Sequence, residues 1–256
     1  MKSVLSRSKP LLRWIILGAS LFFLISVLRQ NWQDITSIRL SKMGWAWLAI
    51  ALGITLLAHC YAAWIWSQTL RRDFQQAVNS RYLIQAYLQT NIAKYLPGNI
   101  WHYYGRINAA TTAGASLEAA TITVVLEPLL MAASALMIAL LASRSLVERY
   151  GAGVLVLQWV GLISVLLAIH PKVLNPVMGY LSRLKQKTTS STKILITKNT
   201  AFVQLTHYPV LPLFGGLGFL LLRSAGFLLT VWAIAPFPLE QVPLLVSGFS
   251  FSWLVG

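Results

Sequence analysis

Acidic residues are scarce in this chain. Six Asp and Glu stand against 21 Lys and Arg in 256 residues, a formal charge of +15. So few carboxylates leave little material for acid–base pairs or carboxylate metal cages. Cysteine is scarcer still: Cys60 is alone, which excludes an intramolecular disulfide and a cysteine metal cluster. Charged residues of either sign make up 11% of the chain, against about 25% in soluble domains. The sequence has no HExxH, no Walker loop and no GxSxG. No metal ligand, cofactor or catalytic residue is therefore assigned. Apolar residues are abundant, at 57%, with a mean hydropathy of +0.66. That balance excludes a disordered chain, a collagen, a coiled coil and an ordinary soluble enzyme. It predicts an all-α polytopic integral membrane protein, one membrane domain over residues 1–256.

A spanning helix needs about 20 mostly apolar residues. Six runs are read as spans: Leu11–Leu28, Met43–Trp66, Glu118–Leu141, Gly151–Ile169, Pro209–Ala233, and a last one from Gln241 that is still apolar at Gly256. The final run ends without a polar flank, so the chain is read as truncated at its C terminus. The basic start, with Lys2, Arg7, Lys9 and Arg13, precedes no small-residue cleavage site and is read as an uncleaved anchor. The polar stretch at about 170–198 is read as a solvated loop with short interfacial helices. Cys60 lies within an apolar run and is expected to pack as a small hydrophobe. Several of the ten Trp, including Trp14, Trp32, Trp45, Trp66 and Trp232, sit near span ends, as an interfacial aromatic belt does.

One segment, Ser80–Ala115, fits no simple span. It is moderately apolar yet carries Arg81, Lys94 and Arg106, and Pro97-Gly98 breaks it in the middle. Two halves of about 15 residues are each too short to cross. A re-entrant helical hairpin is predicted, since broken backbone at membrane depth survives only inside protein or beside a wet cavity. With both hairpin ends on one side, fifteen Lys and Arg fall on the N-terminal side and five on the other. The positive-inside rule then places the N terminus in the cytoplasm of a multi-pass plasma (inner) membrane protein. Basic loops spaced between apolar runs point to anionic lipid head groups and not to nucleic acid.

The candidate binding residues come from the same segment and two spans. Asn99, His102 and Arg106 share a helix face, and Tyr87, Asn91 and Lys94 show the same spacing in the first half. The amides freed after Pro97-Gly98 favour an anion. Glu127, beside Pro128, and Arg223 each sit in the middle of a span, where an isolated charge costs roughly 2.5–3.5 kcal/mol on insertion scales. Two roles are open for them: a mutual structural lock, or the lining of a head-group path. Glu118 lies nine residues from Glu127, half a turn away in azimuth, and reads as a helix-end charge. His59 reads as a packing residue, and His170 and His207 suit span ends.

The segment NIAKYLPGNIWHYYGR, Asn91–Arg106, followed by Gly114, Glu118 and VVLEPLL around Glu127, resembles the transmembrane flippase-like region of the lysylphosphatidylglycerol synthetase family. The likeness is best over 85–130. It implies that Lys94, Pro97, Gly98, Arg106 and Glu127 are motif residues, and that the chain moves a lipid between leaflets. The soluble aminoacyl-transferase domain of the best-known family members has no counterpart here, so lipid aminoacylation is not expected. The resulting expectation is binding and translocation of an anionic phospholipid or polyprenyl-linked lipid. The alternatives are a membrane enzyme resembling a glycosyltransferase, and an accessory subunit beside a glycan- or lipid-modifying enzyme partner.

Overall fold

The computed structural model describes residues 18, 21–23, 25–37, 39–95, 100–142, 147–148, 151–188 and 204–255. Every regular element among them is helical. In chain order these are α1 (Trp32–Ser37), α2 (Lys42–Gln68), α3 (Ser80–Asn91), α4 (Trp101–Thr112), α5 (Leu117–Ala139), α6 (Gly153–Ala168), α7 (Pro171–Thr188), α8 (Val210–Ile234) and α9 (Val242–Val255). Local chemistry fixes several starts. Ser41 caps α2 by accepting from the Gly44 amide, and Ser116 caps α5 by accepting from the Ala119 amide. Asn79 accepts from the amides of Arg81 and Tyr82 to open α3. Glu118 lies in the first turn of α5, where the helix dipole favours it.

Among the described residues, three helices are long and apolar enough to cross a membrane: α2 with its π-helical extension to Asp73, α5, and α8. A fourth crossing arises if α6 and the start of α7 act as one bent span. Of the predicted spans, Leu11–Leu28 is described only at residues 18, 21–23 and 25–28. The last run forms a 14-residue helix, α9, and the fourth forms the 16-residue α6. The polar stretch after it is not a loop with short helices at its start. Pro171 suits the first turn of a helix, and α7 runs 18 residues from it, bent 65° from α6. Asn175 on α7 clasps Leu205 with two hydrogen bonds of 3.0 Å, closing the far side of this region.

α5 is the hub. Of its apolar window 61% is buried, against 28% for α2 and 22% for α8. It packs on α4, α6, α8 and α9. α2 and α8 form the most extensive antiparallel pair. Their backbones approach closely because α8 presents glycine there: a Cβ at Gly215 would lie 2.5 Å from Ile65 Cγ2, and one at Gly226 would lie 2.8 Å from Thr55 Oγ1. Small residues drive close helix contact where lipid offers no hydrophobic gain. The outward faces carry large apolar side chains, including Leu52, Leu56, Trp64, Leu157, Ile163, Phe214 and Leu221. Such an apolar exterior is consistent with a protein that spans a membrane. Cys60 is exposed on this outer face and does not pack inside as expected.

α3 and α4 pack against each other and both reach the hub's side of the molecule. A 3-10 turn, Ile92–Tyr95, extends α3. The two ends of the pair meet: the Ser116 amide donates to Gln76 Oε1 at 2.9 Å. Gly114, with φ +99, makes the turn there that an L side chain resists. Pro97, Gly98 and Asn99, predicted as the break and its first polar residue, lie outside the described residues.

Candidate functional site

The site grows from one face of α4. His102 and Arg106 are four residues apart, and both are buried, at 2% and 0% exposure. A completely buried guanidinium is rare and must be paired. Glu127, from the middle of α5, supplies the pair: Arg106 Nη1 donates to Glu127 Oε2 in an ion pair. The other carboxylate oxygen accepts from Tyr87 Oη on α3 at 2.8 Å. The Tyr87 ring lies beneath the guanidinium, 3.6 Å from its carbon to the ring centroid. Cation, carboxylate and phenol thus close a three-way junction that ties the α3–α4 pair to the hub helix.

This pairing corrects one expectation. Glu127 and Arg223 do not form a mutual lock. Arg223, on α8, donates to Thr55 Oγ1 of α2 at 3.2 Å and faces the rings of Phe249 and Trp253. Lys94, half-buried at the end of the 3-10 turn, holds its Nζ 5.8 Å from the Trp253 centroid. The structure therefore brings Arg106 and Glu127 into contact, and places Lys94 and Arg223 together about Trp253. His59 behaves as a packing residue: Nδ1 meets the Thr55 carbonyl at 2.8 Å and the ring is edge-on to Phe219.

The junction is incompletely satisfied. Arg106 Nε and Nη2 have no hydrogen-bond partner among the described residues. These two nitrogens form the side-on edge of the guanidinium, whose parallel N–H bonds match two oxygens of a carboxylate or phosphate. His102 Nδ1 and Asn91 Oδ1 are likewise buried with no partner among the described residues. Leaving such groups bare costs about 1–3 kcal/mol each, and more when charged. Beside the junction, a cavity of about 40 Å³ is walled by Trp66, Thr69, Tyr87, Glu127, Met131 and Gly216, among others. It has room for water but not for a lipid head group.

Sequence reasoning placed Tyr87 in a polar stripe without a role, read Trp66 only as a belt residue, and passed over Thr55 and Trp253. The signal for Tyr87 was its spacing of seven residues from Lys94. Nothing in the sequence pairs it with a carboxylate 40 positions on. Among the described residues, no group of three His, Cys, Asp or Glu is placed to hold a metal. Comparison with family models, curated proteins and solved structures finds no match to this chain.

Proposed function

We propose that this protein binds the phosphate of an anionic membrane lipid and carries it between leaflets of the plasma membrane, with its N terminus in the cytoplasm. One observation carries the reading: the buried side-on edge of Arg106, donors turned inward, with Glu127 holding only the opposite nitrogen. An intramembrane ion pair leans functional by default, and a guanidinium fork with no partner among the described residues suits an oxyanion. The likeness of Asn91–Arg106 and Glu127 to lipid-handling proteins points the same way.

In this mechanism Arg106 grips two phosphate oxygens, and His102 hydrogen-bonds the remainder of the head group. The small cavity beside Glu127 belongs to a closed arrangement. Admission of a head group therefore requires the α3–α4 pair to shift from α5, with Tyr87 and Glu127 exchanging partners as it does. The ion pair is then both counter-charge and latch. An enzyme or an accessory subunit has no comparable observation in its favour.

The test is leaflet transfer of a labelled anionic lipid in proteoliposomes. Arg106→Lys keeps a cation for Glu127 but removes the fork, and Lys does not substitute for Arg at a bidentate site. Transfer is expected to fall about tenfold or more, the equivalent of one charged hydrogen bond. Unchanged transfer by a folded Arg106→Lys protein removes the phosphate role.

A further inference from the structure

α7, the helix after the bend, carries a face that neither the bundle nor the Arg106 junction uses. Packing fixes its rotation from one side. Leu174 is buried, Met178 packs on the core, and Asn175 holds the Leu205 backbone by two hydrogen bonds. Its start is fixed as well. His170 Nδ1 accepts from the Lys172 amide at 3.2 Å, and the His170 ring meets that of Tyr208 with centroids 5.9 Å apart. At about 100° per residue, positions 174, 175 and 178 share one side of the helix. The opposite side therefore turns away from the bundle. Val173, Val177 and Tyr180 stand there, exposed at 44%, 49% and 64%, with Lys172 and Pro176 also exposed.

A helix packed on one side and wetted on the other turns polar residues outward. α7 turns an apolar stripe outward instead, at helical spacings of four and three. Leu184 continues the register of that stripe, and Arg183 and Lys187 hold register positions along the edge that Lys172 begins. The helix has four basic residues, Lys172, Arg183, Lys185 and Lys187, and no acidic one. An apolar stripe edged by cations suits the head-group boundary of a bilayer, with apolar side chains among acyl ends and cations at phosphates. The direction of the chain agrees. α6 turns Leu157, Val160, Ile163 and Leu167 outward, as a crossing helix does, and α7 bends 65° from it. That bend brings α7 down toward the membrane plane.

We propose that the outward side of α7 is a docking surface for an anionic lipid leaflet. Val173, Val177 and Tyr180 enter the head-group boundary, and the cations of the helix meet lipid phosphates. Charge complementarity selects the occupant. A neutral leaflet, or a second copy of a chain of formal charge +15, offers these cations no counter-charge. The surface shares no residue with the Arg106 junction and stands whether or not that junction carries lipid.

The experiment uses the full chain with Cys60→Ser, in nanodiscs of phosphatidylglycerol or of phosphatidylcholine. A nitroxide on Val177→Cys, and in a second protein on Val173→Cys, reports depth. Collisions with oxygen mark lipid, and collisions with a soluble nickel chelate mark water. In phosphatidylglycerol both labels should sit about 5–10 Å into the head-group and acyl boundary. In phosphatidylcholine their access to nickel should rise about threefold or more. Each cation at an anionic surface is worth about fivefold in binding. Lys172→Gln, Arg183→Gln and Lys187→Gln together should therefore give the phosphatidylcholine result in phosphatidylglycerol. The comparison of the two lipids needs no charge variant. High nickel access alike in both lipids places the stripe in water and overturns the proposal. Low nickel access alike in both removes the role of charge and overturns it too, and a depth beyond about 10 Å makes α7 half of a bent crossing. Labels shielded from both oxygen and nickel assign the surface to a second copy of the chain and overturn lipid as its occupant.

Discussion

A guanidinium with no exposed surface is tolerable only while its charge is answered, and Glu127 and Tyr87 do that for Arg106. Removing one member of a buried pair strands the other, at about 3–5 kcal/mol. Arg106→Gln and Glu127→Gln should therefore each lower Tm in detergent sharply, and the double variant should recover much of the loss. A double variant as unstable as the sum of the singles contradicts the pairing. Tyr87→Phe removes one hydrogen bond to a charged acceptor and should cost about 1.5–3 kcal/mol by the same measurement. Arg106 and Glu127 were legible in the sequence because ionisable residues among apolar neighbours stand out. Their partnership was not, because Glu127 and Arg223 looked equally stranded in mid-span and only the packing of α4 on α5 decides between them. Tyr87 was legible only as part of a polar stripe, since its spacing to Asn91 and Lys94 names no carboxylate 40 positions on.

At the scale of elements, the long apolar helices were legible to within a few residues, since hydropathy alone sets α2, α5 and α8. The misreading at His170-Pro171 has a plain cause: a proline that ends one helix is also suited to the first turn of the next, and here it starts α7. The α2–α8 approach was not legible, because glycine in a span marks a contact without naming its partner. That contact makes a prediction. Gly226→Val meets Thr55 Oγ1 and the Ala51 carbonyl, so it should overpack the pair and cost about 1–3 kcal/mol. Gly53→Val, with open space around its Cβ, should stay within about 0.5 kcal/mol. Equal losses for the two variants in thermal unfolding contradict the close approach.

The molecule as a whole is a helical bundle with an apolar exterior and a small charged interior, reached through a helix pair whose two ends are clasped together by Gln76 and Ser116. That closure makes a topological prediction: in a membrane, both ends of the pair should be reached from the same side. In a Cys60→Ser background, Arg81→Cys and Thr112→Cys, both at exposed positions, should react with an impermeant thiol reagent from one side only, and from the same side. Modification from opposite sides contradicts a re-entrant arrangement. The central claim is the phosphate grip of Arg106. Its most direct measurement is the magnetic dipolar coupling between phosphorus and nitrogen in solid-state NMR, with phosphatidic acid bound to the full chain carrying nitrogen-15 arginine. A phosphorus–nitrogen coupling that the Arg106→Lys variant loses is the predicted result. Bound lipid whose phosphorus couples identically in both proteins contradicts it.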